Sequence, residues 1–208
     1  MPKRAAAAGV PRGTVLGDSA YGKSSPLRRA CRDLEFPYAV GVMPTDRVGW
    51  LDRRGRRIDD APVAIEDSAV GPGRGAFRKT TWRQGSKVPL SSYFALERVH
   101  MVQGDGIDEG EPEHVWLLME WERGTSAPSK YHVLWLPHPS ARRLTRKKAV
   151  RIVKQRWRTE RAYEDLKGEL GLAHSRPGLP KPAHCLALMP VQPQQPHPGD
   201  TVVLSIRA

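Results

Sequence analysis

The sequence predicts an α+β fold, and three observations lead to that class. The chain opens with a strand, an aspartate, a turn, a helix and a second strand. Short strand-like runs separated by turn formers then fill residues 44–139. A basic segment with helical periodicity follows them. The 208 residues of the chain are enough to bury a substantial core.

The opening unit covers residues 1–43 and supplies the first candidate acid. An apolar run at 13–17 predicts a buried strand, and Asp18 follows it directly. Ser24 or Ser25 ahead of Pro26 predicts the start of a helix, because serine caps a helix N-terminus and proline fits its first turn. A second apolar run at 38–43 predicts the next strand.

Residues 44–139 are expected to form a β-rich insertion. Turn formers recur through the region, as in Gly71-Pro-Gly-Arg-Gly75 and Gly104-Asp-Gly106. The strand-like runs between the turns predict strands at 77–82, 94–102, 115–121 and 130–136. The pattern favours an antiparallel sheet.

Residues 140–172 are predicted to form a long basic helix, and residues 173–208 a disordered tail. Ser140 can cap the helix, whose apolar residues recur mostly at steps of three and four, and Gly171 is a natural stop. Seven of the nineteen prolines lie in 177–198, where no periodicity is present. A segment of that composition does not build a core.

The positive charge is concentrated in the predicted helix. The chain has a formal net charge of +12 and a pI of about 10.2. Residues 141–167 contain eleven Lys or Arg and three Asp or Glu, so +8 of the charge lies there. Such a balance indicates a polyanionic partner, with DNA as our expectation. The alternative is a helix with an ordinary solvated face.

Composition argues against several classes of protein. The mean hydropathy is −0.54, and no apolar run approaches the roughly 18–20 residues that span a bilayer, so we expect no membrane association. The apolar run after Lys3 and Arg4 is too short for a secretory signal. The two cysteines, Cys31 and Cys185, form neither a disulfide framework nor a zinc motif. A cytoplasmic, nucleoid-associated protein is expected.

Two carboxylates are candidates for a metal site. Asp18 follows a buried strand, where a scaffold can aim it at a cation, although it could also be a simple turn residue. Glu160 lies on the apolar stripe of the helix, where a buried carboxylate needs a cation. An ion pair with Arg156 or Lys167 would also meet that need. Carboxylates brought together from different elements bind hard ions such as Mg²⁺ or Mn²⁺, and a pair of ions catalyses phosphodiester transfer.

The helix resembles a signature of DDE transposases. Residues 156–174 read RWRTERAYEDLKGELGLAH, which is similar to the segment around the final glutamate in the IS4-like superfamily, and most closely to its IS701 group. In that pattern an arginine lies four residues before the catalytic glutamate and a lysine seven after it. Arg156, Glu160 and Lys167 match these positions.

The resemblance extends over about residues 5–174. In the family, the second catalytic acid is followed by two small residues, a Tyr and a Gly. VLGDSAYG at 15–22 is similar to this segment, and Asp18 matches the acid. FRKTTWRQGSKVPLSSYFAL at 77–96 resembles the TWR-x-G-x-K-x-PL-S segment of the family. WLLMEW at 116–121 and Lys130-Tyr131 fit its later strands.

The resemblance implies a partial RNase H-like core, interrupted by the β-rich insertion, that binds transposon-end DNA and Mg²⁺ or Mn²⁺. Asp18 and Glu160 are then the expected catalytic and metal-binding residues. The expected DNA contacts on the helix are Arg151, Lys154, Arg156, Arg158 and Lys167. A homodimer or a complex with an intact transposase is expected.

The chain departs from the family at three points. No strand before Asp18 carries the family's first catalytic Asp, Val153 replaces a tyrosine that is frequent in the superfamily, and the sequence after Leu172 abandons the family pattern. We therefore expect a truncated transposase fragment that is inactive alone. The alternative is a basic nucleic-acid-binding protein without catalysis, such as a regulator of an intact transposase.

Overall fold

A computed structural model describes most of the chain up to residue 157. The described residues are 7, 13–52, 54–58, 61–70, 73–83, 89–102, 113–138, 140–157, 161 and 203–206. The fold is of the mixed α+β class, with one large sheet and few helices.

The first unit consists of two parallel strands, with two helices between them in chain order. Strand β1 is Thr14–Gly17, helix α1 is Ser19–Gly22, helix α2 is Ser25–Asp33 and strand β2 is Tyr38–Val42. The Ser24 hydroxyl accepts a hydrogen bond from Leu27 N at 3.3 Å, and a proline lies in the first turn of α2, as the sequence predicts. The predicted turn after Asp18 is a single helical turn.

The middle of the chain supplies most of the sheet. Its elements are β3 (Arg47–Trp50), β4 (Val63–Ala64), α3 (Ile65–Val70), a 3₁₀ turn (Arg74–Ala76), β5 (Arg78–Arg83), β6 (Leu90–Val102), β7 (Glu113–Trp121) and β8 (Lys130–Trp135). The four predicted strands are present with small shifts at their ends. Strands β3 and β4 and helix α3 are additions, because short elements leave little periodicity in a sequence.

The last elements cover the sheet and extend its edge. A 3₁₀ turn (Ser140–Arg143) leads into helix α4 (Arg146–Lys154), and Arg156, Trp157 and Arg161 are also helical. The predicted basic helix is therefore described over its first part only. Val203–Ile206 form strand β9 within a segment that the sequence predicts to be disordered. Three of its four residues are apolar and two of these are β-branched, and the run pairs with the edge of β1.

The nine strands within the described ranges belong to one mixed sheet. Their order across the sheet is β4-β3-β6-β7-β8-β2-β1-β9. Strand β5 is not in this series: it pairs with β6, next to the part of β6 that pairs with β3. Strand β2 pairs parallel with β1 and antiparallel with β8, so the insertion strands continue the sheet of the first unit. Both pairs that join β1 to the sheet are parallel.

Helices cover both faces of this sheet. Helices α2 and α3 pack on one face, which we call face 1, through Cys31, Ile65 and Ala69. Helix α4 packs on the opposite face, which we call face 2, through Ala149, Val150 and Val153. Side chains alternate between the two faces along each strand, so the face of a residue follows from its neighbours.

A buried ionic cluster ties α2 to the sheet on face 1. The Arg28 Nε donates to both carboxylate oxygens of Glu113, at 3.0 and 2.9 Å, and both residues are almost fully buried. Arg32 and the Tyr38 hydroxyl also contact this carboxylate. Arg28 in addition donates to the carbonyl of Gly22, the last residue of α1.

Candidate functional site

Asp18 lies directly after β1, at the carboxyl end of that strand. It is the N-cap of α1, and its Oδ1 accepts a hydrogen bond from Ala20 N at 3.0 Å. About 31% of the side chain is exposed, so the second carboxylate oxygen can reach a ligand. Local sequence explains this position, because a buried strand followed by Asp and two small residues favours a capped turn.

The helical segment after α4 meets Asp18. Arg156 Nη2 lies 3.7 Å from Asp18 Oδ2, although the two residues are 138 positions apart in sequence. Helix α4 runs along face 2 and packs against β2, β5, β6 and β7, which brings its carboxyl end to this point. The fold thus joins one residue from each of the two sequence motifs.

Three residues of the predicted site lie outside the described part of the chain. They are Arg158, Glu160 and Lys167. Glu160 comes four positions after Arg156 in the sequence. The predicted meeting of Asp18 with Glu160 therefore stays a prediction.

The described residues do not make a complete metal site. No group of three His, Cys, Asp or Glu side chains within them is placed to hold an ion. At the predicted position they offer the Asp18 carboxylate, and a guanidinium rather than a second acid stands beside it. A divalent cation at Asp18 would need Glu160 or another acid as a further ligand, because Mg²⁺ takes several oxygen ligands.

Lys154 occupies an internal ion pair. Its Nζ lies 2.8 and 2.7 Å from the two carboxylate oxygens of Glu120, which is 2% exposed. The ammonium also stacks over the Trp82 ring at 4.3 Å and lies 5.6 Å from the Phe94 ring centre. Its charge is therefore largely satisfied within the protein, whereas the sequence predicts a DNA contact.

Other basic side chains of α4 face outwards. Lys147, Lys148 and Arg151 are exposed on the helix. Near its end the Arg83 guanidinium stacks 4.1 Å from the ring centre of Trp157, which is 39% exposed. We call these exposed cations on and near α4, namely Lys147, Lys148, Arg151 and Arg83, the basic strip.

Two residues of this region are not identified by the sequence analysis. Glu120 and His132 lie in strands β7 and β8 on face 2, the face of α4. Burial lowers the pKa of His132 to about 3, and the nearby charges of Lys154, Arg156 and Lys130 add to the effect. A polar residue within an otherwise apolar strand is the signal that could have found both.

Comparisons with known proteins add no relative. No protein-family model matches the chain, and no curated protein matches it. None of the helices in the described ranges is both long and apolar enough to cross a membrane. The resemblance to transposases therefore rests on the sequence motifs alone.

Proposed function

We propose that this chain is a DNA-binding member of the IS4-like DDE transposases, which by descent carries the parts of a metal-dependent strand-transfer site. The observation that carries the proposal is the contact between Arg156 and Asp18 at 3.7 Å. The family resemblance assigns both residues to one site, and the two motifs meet although nothing in their local sequence requires it.

The arrangement of the first unit supports a partial RNase H-like core. Strands β1 and β2 are parallel neighbours, with α1 and α2 between them, and Asp18 follows the first strand. Helix α4 covers the opposite face and runs towards the same end of the sheet. In this proposal Asp18 and Glu160 share Mg²⁺ or Mn²⁺ beside a bound DNA backbone.

The basic strip supports DNA as the partner. Lys147, Lys148 and Arg151 offer exposed cations on one helix, and Arg83 adds another near its end. Side chains of this kind bind phosphates without reading bases, so binding is sequence-independent. Each neutralised phosphate releases counterions, which makes the affinity depend on salt.

Fluorescence anisotropy with a labelled DNA duplex tests this part of the proposal. Affinity should fall steeply between roughly 50 and 200 mM salt, and Arg151→Gln should lower both the affinity and the slope by about one phosphate contact. The control is Arg57→Gln, which removes an exposed arginine between β3 and β4. Equal losses in both variants, or a flat salt response, would contradict a basic strip that binds DNA.

A further inference from the structure

The outer edge of β1 is covered by one short strand. Strand β9 pairs in parallel with β1 over four positions, from Thr14 with Val203 to Gly17 with Ile206. It is the last strand in the sheet order, and β1 is its only strand neighbour within the described ranges. Strand β1 itself is buried along its whole length. Without β9, the N–H and C=O groups of this core strand would form an open edge, which readily pairs with another chain.

The pairing of β9 is short enough to be reversible. Four residues of a parallel pair supply only a few backbone hydrogen bonds, and each has a modest net value. Small elements at the margin of a fold detach by local opening at a lower cost than global unfolding. The edge of β1 is therefore a docking site for an extended strand, and its occupant can exchange.

The connection to β9 is much longer than docking within one chain requires. Arg156 contacts Asp18 at the carboxyl end of β1, whereas Val203 pairs with Thr14 at the other end of that strand. Four strand residues separate these ends by about 13 Å. The 47 positions from Arg156 to Val203 can reach at most about 150 Å. This length allows β9 to dock on the β1 edge of a second molecule.

We propose that the edge of β1 binds β9 of a second copy of this chain, so that two copies exchange these strands and form a symmetric dimer. The parallel register is the same whether the strand comes from its own chain or from the second copy. Because Gly17 precedes Asp18 and pairs with Ile206, the exchanged strand ends beside the candidate site. The inference goes beyond the proposed function and does not depend on it.

A disulfide formed between two differently substituted full-length chains tests the exchange. One chain carries Thr14→Cys and the other Val203→Cys, both with Cys185→Ser, while the buried Cys31 is left in place. Neighbouring strands lie about 4.7–4.9 Å apart, which is within the Cα separations that disulfides span. The chains are mixed at about 1 mM, where a second copy competes with a tethered strand, and are then oxidised. Non-reducing electrophoresis should show a disulfide-linked dimer containing one chain of each kind.

A second pair of positions supplies matched controls and guards against a variant that fails to fold. Val15→Cys in one chain and Leu204→Cys in the other are also in register and should form the mixed dimer. The crossed mixtures, Thr14→Cys with Leu204→Cys and Val15→Cys with Val203→Cys, should form several-fold less, because adjacent positions of a strand point to opposite faces. Adding Leu204→Pro to the chain with Val203→Cys should abolish its dimer, because proline interrupts strand pairing.

Three results would overturn the inference. Equal amounts of dimer in the in-register and crossed mixtures would indicate random collision. An intramolecular disulfide in a chain that carries both Thr14→Cys and Val203→Cys, together with no mixed dimer, would show that β9 docks only within its own chain. The absence of disulfides from both formats would show that β9 does not occupy the β1 edge. The proposed DNA binding by the basic strip is measured separately, so either proposal can fail without the other.

Discussion

At the residue scale, Lys154 is predicted from its sequence context to contact DNA, but in the structure it forms an internal ion pair. Helical spacing places it on the basic helix, but only the fold brings it to Glu120 on β7. Glu120 lies within an apolar strand, and its partner comes from 34 residues further along the chain. No local pattern in the sequence connects the two.

We expect Lys154→Met to destabilise the fold rather than to weaken DNA binding selectively. It leaves the Glu120 carboxylate buried without its partner, and breaking a buried pair costs about 3–5 kcal/mol. Combining it with Glu120→Leu should restore much of that loss, since no isolated charge remains. Urea denaturation measures the change. Lys130→Met is the matched control, because its pair with Glu122 is half exposed and is worth about 1 kcal/mol or less.

His132 should make stability depend on pH. Its pKa is lowered to about 3 in the folded protein, compared with 6.5 for an ordinary histidine. Below pH 6.5 the unfolded chain takes up a proton that the folded chain does not, so stability falls as the pH decreases from 6.5 towards 3. Between pH 7 and pH 5 this amounts to about 2 kcal/mol.

Denaturation of the wild type and of His132→Leu at both pH values measures this effect. The variant should lose about 2 kcal/mol less than the wild type over that range. His138→Leu, which removes an exposed histidine, should behave like the wild type. Parallel pH profiles for the wild type and His132→Leu would show that His132 titrates normally.

At the scale of elements, the sequence predicts the strands and helices that have strong periodicity. It misses the elements that depend on contacts with distant parts of the chain. The unit from β1 to β2 and strands β5 to β8 follow from alternation, capping residues and turn formers. Helix α3 is only six residues long, and strand β9 gains its backbone partners from β1. Asp18 could be predicted as a site residue because it directly follows a strand. The place of Glu120 and His132 near α4 depends on which strands become neighbours in the sheet, and the sequence does not show this.

Helix α2 depends on the Glu113 cluster, and we expect Glu113→Gln to loosen it. The substitution leaves the charge of Arg28 buried with only weak partners, which costs about 3–5 kcal/mol by analogy with other broken buried pairs. Because Arg28 also holds the carbonyl of Gly22, α1 should loosen with α2. Amide hydrogen exchange measures both helices. Faster exchange in α4 alone, with α1 and α2 unchanged, would contradict this role.

At the scale of the molecule, one continuous sheet links the two halves of the proposed site. Strand β8 joins the insertion strands to β2, and α4 crosses face 2 from that sheet to Asp18. The position of Arg156 relative to Asp18 therefore depends on the packing of the whole insertion. The sequence motifs identify the residues, but their meeting follows from long-range packing that no local pattern encodes.

The last prediction concerns catalysis by the chain on its own. The family resemblance implies three carboxylates, and this sequence offers two of them, Asp18 and Glu160. With one acid missing, ions would be held loosely and the attacking oxygen misplaced, which costs orders of magnitude in rate. We expect no cleavage or strand transfer on labelled duplex DNA with Mg²⁺ or Mn²⁺. Metal-dependent cleavage that disappears in both Asp18→Asn and Glu160→Ala would contradict this prediction and would mean that another acid completes the site. Cleavage that survives in both variants would instead come from a contaminating nuclease.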